Sequence, residues 1–262
     1  MSCQRCVATA LLVLPLLVAC AASGEAAGPD RAQCNRAAFR VIVDVGHIAE
    51  VPGVMSARGV PEYVFNLRLA KQIEQKLIDA GFGRTVLLIT DEPPRRGLFT
   101  RAARANSSRA DLFLSIHHDG VPDAFLETWE YEGVERHFSD RFRGHSIFIS
   151  YDHRDRRGSL RYAKLLGEQL KARGLAYTPH YREKIMGSRQ RDLVDAEAGV
   201  YRYDQLVVLR ETRMPAVLLE AGSIVNRDEE VLLTTPEHQA LIAAAAADAV
   251  ELFCAARAPR RN

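Results

Sequence analysis

Three apolar runs along this chain each end on a residue that can bind a metal or carry a proton: Val41 to His47, Leu112 to His117 and Ala216 to Glu220. Read as strands, Val-Ile-Val-Asp-Val-Gly-His, Leu-Phe-Leu-Ser-Ile-His and Ala-Val-Leu-Leu-Glu are buried over most of their length and polar only at their carboxyl ends. Inner strands of a mostly parallel sheet have that pattern. Ligands of open α/β sheets bind outside the carboxyl edge. One histidine at a strand end is more often a hydrogen-bonded structural residue, but three reactive endings at one edge point to a shared site. Glu62 joins them from Arg58-Gly-Val-Pro-Glu-Tyr-Val-Phe-Asn, where Pro61 suits the first turn of a helix and the carboxylate after it can face the end of the first strand.

The remaining pattern predicts the elements between these strands. Leu67, Ala70, Ile73, Leu77 and Ile78 give helical spacing over 66–80, with Gly81 as the stop. A second strand is expected over 84–90, and a helix over 100–110 leads into the strand ending at His117. Segment 121–144 is less periodic, and its Trp129, Tyr131, Phe138 and Phe142 fit packing over the sheet better than the wall of a substrate groove. A short strand follows over 146–150. Ser159 is expected to cap a helix with Tyr162, Leu165, Leu166 and Leu170 on one face, ending near Gly174. Pro179 to Gly199 has few apolar anchors and reads as a mobile or extended surface loop. Leu206 to Leu209 leads into the last core strand, and the Ala-rich run Gln239 to Cys254 makes a closing helix. Alternating strands and helices call for right-handed crossovers. The expected fold class is α/β, a single domain whose twisted, mostly parallel sheet is flanked by helices on both faces, with the reactive site at the carboxyl ends of the strands.

Composition narrows this picture without changing it. The chain has 262 residues, 47% of them hydrophobic, enough to bury one substantial core. Its 35 Lys and Arg nearly balance 33 Asp and Glu, so nothing calls for nucleic acid. Arg-rich stretches at 154–161 and 189–191 read as solvated faces. At the start, Arg5 precedes an apolar stretch from Val7 to Ala19 that is short for a bilayer span and suits a signal-peptide core. Leu17-Val18-Ala19-Cys20 resembles a lipoprotein signal, in which Cys20 becomes the acylated first residue and a membrane anchor, while small residues at Ala19 to Ala22 also suit ordinary cleavage. The organisation expected is a signal peptide over 1–19, a tether over 20–37 and a catalytic domain over 38–258, exported to the periplasm or cell envelope. Cys34 and Cys254 then remain near opposite ends of the mature domain, and the sequence leaves open whether they form a disulfide or stay as two thiols. No Cys/His spacing of a structural zinc finger is present in the mature part.

Taken in order, Ile42-Val43-Asp44-Val45-Gly46-His47 with Glu62, Arg104-Ala105-Asn106 to Ala110-Asp111-Leu112-Phe113-Leu114-Ser115-Ile116-His117, and Val208-Leu209-Arg210 to Pro215-Ala216-Val217-Leu218-Leu219-Glu220-Ala221-Gly222 with Asn226 and Glu229-Glu230 resemble the zinc-dependent N-acetylmuramoyl-L-alanine amidases of the amidase-3 type. The resemblance covers nearly all of the mature chain. It implies one zinc ion held by His47, Glu62 and His117, with Glu220 as the catalytic acid/base. The implied reaction is hydrolysis of the amide between N-acetylmuramic acid and L-alanine in peptidoglycan, under an unidentified protein activator. Arg210 and Asn226 are at least as well suited to structural roles.

The chain departs from the family pattern in places. Val45 stands where Pro is usual before the Gly, and Ile48-Ala49-Glu50 follows His47 in place of glycines. His118 and Asp119 replace a small residue and Asn, and Ser223 replaces Phe. Only Tyr151 to Gly158 fills the space where many cell-division relatives carry a long inhibitory helical insertion, so no plug of that kind is expected. His118 competes with His117 as a ligand. Neighbours on a strand face opposite ways, and the family pattern favours His117. Two other functions share this ligand logic: a non-catalytic zinc-containing peptidoglycan-binding or regulatory protein, and a zinc carboxypeptidase acting on the stem peptide.

Overall fold

The computed structural model describes residues 34–257. The signal segment, Cys20 and most of the tether lie outside the described residues. Strand β1 (Val41–Val45) is buried at every position. Helix α1 (Glu62–Asp79) begins four residues before the periodicity predicts, because Pro61 stands at its N-cap and starts the helix on Glu62. It ends as expected, with Gly81 at φ +93°. Strand β2 (Val86–Leu88) is shorter than expected, and α2 (Pro94–Ser107) starts earlier, at a proline suited to its first turn. Strand β3 (Leu112–Asp119) runs two residues past His117.

Segment 121–144 is ordered. A 3-10 turn over Asp123–Phe125 precedes a hairpin of β4 (Glu127–Tyr131) and β5 (Val134–Phe138), joined through Glu132 and Gly133, both at positive φ. Trp129 Nε1 donates to the Ala57 carbonyl at 2.9 Å, fastening the hairpin to the loop before α1.

Strand β6 (Ser146–Ile149) matches its prediction, and only six residues separate it from α3 (Arg156–Ala172), too few for an inserted helical plug. Asp155, not Ser159, caps α3 by accepting from Gly158 N at 2.9 Å. Ser159 sits in the first turn instead, where its hydroxyl donates to the Asp155 carbonyl and accepts from Ala216 N, each at 3.0 Å. Segment 179–199 differs most from expectation. It holds 3-10 turns over His180–Arg182 and Lys184–Arg189, then β7 (Asp192–Asp195), and it buries Tyr181 and Met186. Single anchors at irregular spacing produce no periodic signal. Strand β8 (Val200–Arg202), the short helix α4 (Val207–Glu211), β9 (Ala216–Ser223), α5 (Arg227–Thr234) and α6 (Pro236–Ala255) complete the chain.

The main sheet has the order β2-β1-β3-β9-β6-β8-β7. β2, β1, β3 and β9 run parallel, β6 is antiparallel to β9 and parallel to β8, and β7 is antiparallel to β8. The expected mostly parallel sheet with helices on both faces is what the chain forms. Alternate residues of the inner strands face opposite ways: Val43, Leu114 and Val217 pack with residues of α1, α3 and α6, while Ile42, Phe113 and Leu218 pack with residues of α4 and the 179–190 segment.

Cys34 and Cys254 form a disulfide with Cα atoms 5.1 Å apart, closing a loop with a sequence separation of 220. Cross-linking so long a loop restricts the unfolded chain, so Cys254→Ser is expected to lower stability by about 2–4 kcal/mol. That corresponds to a drop of roughly 5–15 °C in a thermal melt. His145, just before β6, is 4% exposed, and burial pushes its imidazole pKa down to about 4. The unfolded chain takes up this proton near pH 6.5 and the folded chain only near 4. Stability from this group is therefore complete above pH 6.5 and falls as the pH drops towards 4. Denaturant titrations at pH 7 and 4.5 should show His145→Asn losing about 2–3 kcal/mol less than the parent chain.

Candidate functional site

The carboxyl ends of β1 and β3 and the start of α1 meet in a cluster of His47, Glu62 and His117, with one ligand atom from each lying within 4.8 Å of the others. Glu62 Oε2 stands 3.1 Å from His47 Nε2, and Oε1 stands 3.0 Å from His117 Nδ1. Donors about 2.0–2.1 Å from a tetrahedral metal are about 3.3 Å from one another, close to the two separations between Glu62 and the histidines, and the three groups together are a donor set of two imidazoles and a carboxylate. Burial alone would raise the Glu62 pKa, but hydrogen bonds and charge from His117 and His47 outweigh it and hold the carboxyl well below the usual range. Three further donors complete its surroundings: Asn66 Nδ2 at 3.0 Å, Val54 N at 3.2 Å and His118 N at 3.3 Å.

The backbone around the cluster leaves no spare room. His47 adopts φ +65°, an uncommon conformation for a residue with a side chain. Arg101 of α2, itself 4% exposed, holds that turn from below. Its guanidinium donates to the carbonyls of Val45 and His47 and pairs with Asp44 at 2.9 Å, while Ser115 Oγ donates to the same carboxylate at 2.7 Å. A Cβ on Gly46 would stand 2.4 Å from the His117 ring, and one on Gly53 would stand 2.2 Å from Glu62 Oε2. Both glycines are therefore required by side chains of the cluster.

Glu220 is the register partner of His117 across the parallel β3–β9 ladder. Its Oε2 is buried and has no hydrogen-bond partner. Burial, reinforced by the neighbouring Asp119 and Glu62 carboxylates, raises its pKa well above the ordinary value. The same strand edge thus carries one carboxylate held ionised by donors and one that favours its proton. Beside them, burial pushes Asp119 up to about 7, and both its oxygens accept from Tyr181 OH at 2.8 Å.

His118 faces the other side of the sheet, as strand alternation requires. It is 2% exposed, and its Nδ1 lies 2.8 Å from Asn66 Oδ1. Burial lowers its pKa to about 3. His118 thus reaches Glu62 through its backbone N–H and through Asn66, not as a member of the ligand cluster. Asn226 caps α5 by accepting from Asp228 N and Glu229 N, and Arg210 pairs with Glu211, so both have local structural partners.

Sequence reasoning missed Arg101, Asn66 and Tyr181. Asp44 carried a usable signal for the first of them, since an acidic residue inside an apolar strand needs a buried counter-ion. Asn66 lies one helical turn after Glu62, a spacing that puts the two side chains side by side. Tyr181 lies in a segment with no periodic pattern and gave no signal.

The amidase-3 family model, described as N-acetylmuramoyl-L-alanine amidase, matches residues 41–252. An endolysin of Bacillus phage SPP1 is 27% identical over 194 residues, covering 74% of this chain; the chain spans 58% of the endolysin's length. Among solved structures, the amidase Ami1 from Mycobacterium smegmatis superposes with a TM-score of 0.65 at 22% identity, covering 85% of this chain and 100% of that one. CwlD from Clostridioides difficile, solved in complex with the GerS lipoprotein, superposes with a TM-score of 0.58 at 22% identity, covering 82% of this chain and 98% of that one.

Two substitutions test the geometry directly. Gly46→Ala is expected to push the His117 ring aside and abolish binding of added Zn2+ in calorimetry, with the far-ultraviolet spectrum retained. His118→Asn is expected to bind one equivalent, and a loss of zinc there with retention in His117→Ala would reverse the ligand assignment.

Proposed function

This chain belongs to the amidase-3 family of N-acetylmuramoyl-L-alanine amidases, and we propose that it hydrolyses the amide between N-acetylmuramic acid and L-alanine in peptidoglycan. In this reading His47, Glu62 and His117 hold one zinc ion and Glu220 moves the proton. The donor set supports zinc, because two imidazoles and one carboxylate are the ligands of an open hydrolytic site. The observation that carries the reading is Glu220, whose unpartnered buried oxygen lies in register with His117.

Zinc held by His47, Glu62 and His117 would supply Lewis acidity to the scissile carbonyl and make a water easier to deprotonate. Glu220 accepts the proton of the attacking water as its oxygen bonds to the lactyl carbonyl carbon. It then delivers that proton to the alanine nitrogen as the carbon–nitrogen bond breaks, leaving a lactyl carboxyl group and a free amine. An amide nitrogen leaves readily only when protonated; burial makes Glu220 a strong proton acceptor, and a cation held by the neighbouring ligands would keep it ionised until it takes the water's proton. Glu62 has the opposite requirement. The donors around it favour the anion, which a ligand must be. Arg101 keeps His47 aimed into the cluster, and Asn66 orients Glu62.

The substrate lies outside the cytoplasm, in agreement with residues 1–19 as an export signal, 20–37 as a tether, 38–258 as the catalytic domain and Cys20 as an acylated anchor in the cell envelope. The Cys34–Cys254 disulfide supports an oxidising compartment. A protein activator belongs to the same proposal, by analogy with CwlD and the lipoprotein it was solved with.

Digestion of purified sacculi tests the reaction. Free stem peptides with an L-alanine amino terminus are the expected product; shortened stems still attached to glycan, or no release, would overturn the proposal. Glu220→Gln is expected to lower turnover about 10²- to 10⁴-fold. It should keep one zinc per chain, separating loss of the proton carrier from loss of the metal.

A further inference from the structure

The cluster has two unlike flanks. On the β1 side, a cleft of about 310 Å³ lined by Ile48, Val51, Leu98, Leu206 and Val208 opens beside His47 and His117. On the β9 side stands the 179–190 segment, anchored through buried Tyr181 and Met186 and kinked at Gly187, where φ is +54° and ψ −122°. Arg189 follows that kink. Its Nη2 donates to the Gly120 carbonyl at 3.3 Å and lies 3.9 Å from Asp119 Oδ1, too far for a hydrogen bond. Both Asp119 oxygens are already engaged by Tyr181. Among the described residues, the Nε and Nη1 of Arg189 have no hydrogen-bond partner, and its side chain is 40% exposed. Its charge nevertheless acts on Asp119, Tyr181 and Glu220 together. An open guanidinium edge beside a reaction site is suited to a carboxylate, which it can grip with two parallel hydrogen bonds.

The scissile amide has two chemically different sides. The muramoyl side carries no charge, since its lactyl carboxyl is tied up in the amide, and it presents methyl groups. The peptide side carries free carboxylates, the nearest on the acidic residue after the alanine, a group that occurs in cell walls either free or amidated. An extended peptide reaches that residue within about 7 Å of the scissile bond. His117 and Asp119, two residues apart on β3, span a similar distance of about 7 Å.

We propose that Arg189 binds the carboxylate of the acidic residue next to the alanine and so directs the peptide stem to the β9 flank, with the muramoyl methyl groups towards the apolar cleft. This rests on the amidase reading and adds to it the residue that distinguishes a free from an amidated stem. Arg189 is then a substrate-binding residue, although its sequence context reads as a solvated patch.

Two synthetic muramoyl peptides differing only in carboxylate against carboxamide at that residue test the proposal, together with calorimetric binding of the corresponding free stems. The parent enzyme is expected to prefer the carboxylate by about 10- to 100-fold in kcat/KM. In Arg189→Met that ratio should fall close to one, mainly through KM. Arg189→Lys should keep part of it, since charge without the fork recovers only part of the interaction. Turnover by the parent without discrimination, or an equal loss on both substrates in Arg189→Met, would overturn the inference and assign Arg189 to holding its turn on Gly120. Preferential binding of the carboxylate stem with no cleavage of either substrate would break the amidase reading and leave the Arg189 assignment supported.

Discussion

A carboxylate that is 3% exposed constrains everything around it. Buried and ionised, Glu62 needs polar partners on both oxygens: Asn66 Nδ2, Val54 N and His118 N donate to it, and the His47 and His117 rings stand 3.1 and 3.0 Å from it. These five come from the end of β1, the loop after it, the second turn of α1 and the end of β3. For them to coincide, β1 must stop at Gly46 and turn through His47 at positive φ, and the loop must return close enough that Gly53 cannot carry a side chain. Helix α1 must begin on Glu62 itself, with Pro61 before it. Sheet edge, loop and helix start are therefore one mutually dependent unit, and the carboxylate is the point at which they close.

The second carboxylate differs by environment, not by chemical type. Glu62 is ringed by donors and stays ionised. Glu220 has a buried oxygen with no donor and two carboxylates for neighbours, so it favours its proton. Separation of proton affinities between two acids at one site lets them take the two different roles that the proposed reaction requires. The β3–β9 register produces this separation: it brings Glu220 beside His117 but leaves it outside the ring of donors around Glu62.

Around this fixed centre the walls come from less regular pieces. Ile48 and Val51 follow His47, α4 supplies Val208, and the 179–190 segment supplies Tyr181 and Arg189. Loops on a rigid scaffold can vary while the scaffold keeps its register. Ile48 after His47 and Asp119 after His118 lie in or against those walls.

The sequence by itself determined the inner strands, the edge they share and the residues at their ends. Continuous apolar runs can be buried only on both faces of a sheet, and a polar group is tolerated only where such a run emerges, so β1, β3 and β9 and their endings were legible, as were α1 and α6 from helical spacing. Glu62 was legible because proline tends to mark a helix start. Boundaries were less so: α2 and α3 begin where Pro94 and Asp155 lie, outside the apolar period. Only the tertiary structure decided that Cys34 meets Cys254, that Arg101 supports the His47 turn, that His118 reaches Glu62 through Asn66, and that Tyr181 and Arg189 stand over Asp119. Each of these joins residues distant in sequence, and the geometry of such a contact is set by how strands and helices pack, which no local pattern encodes.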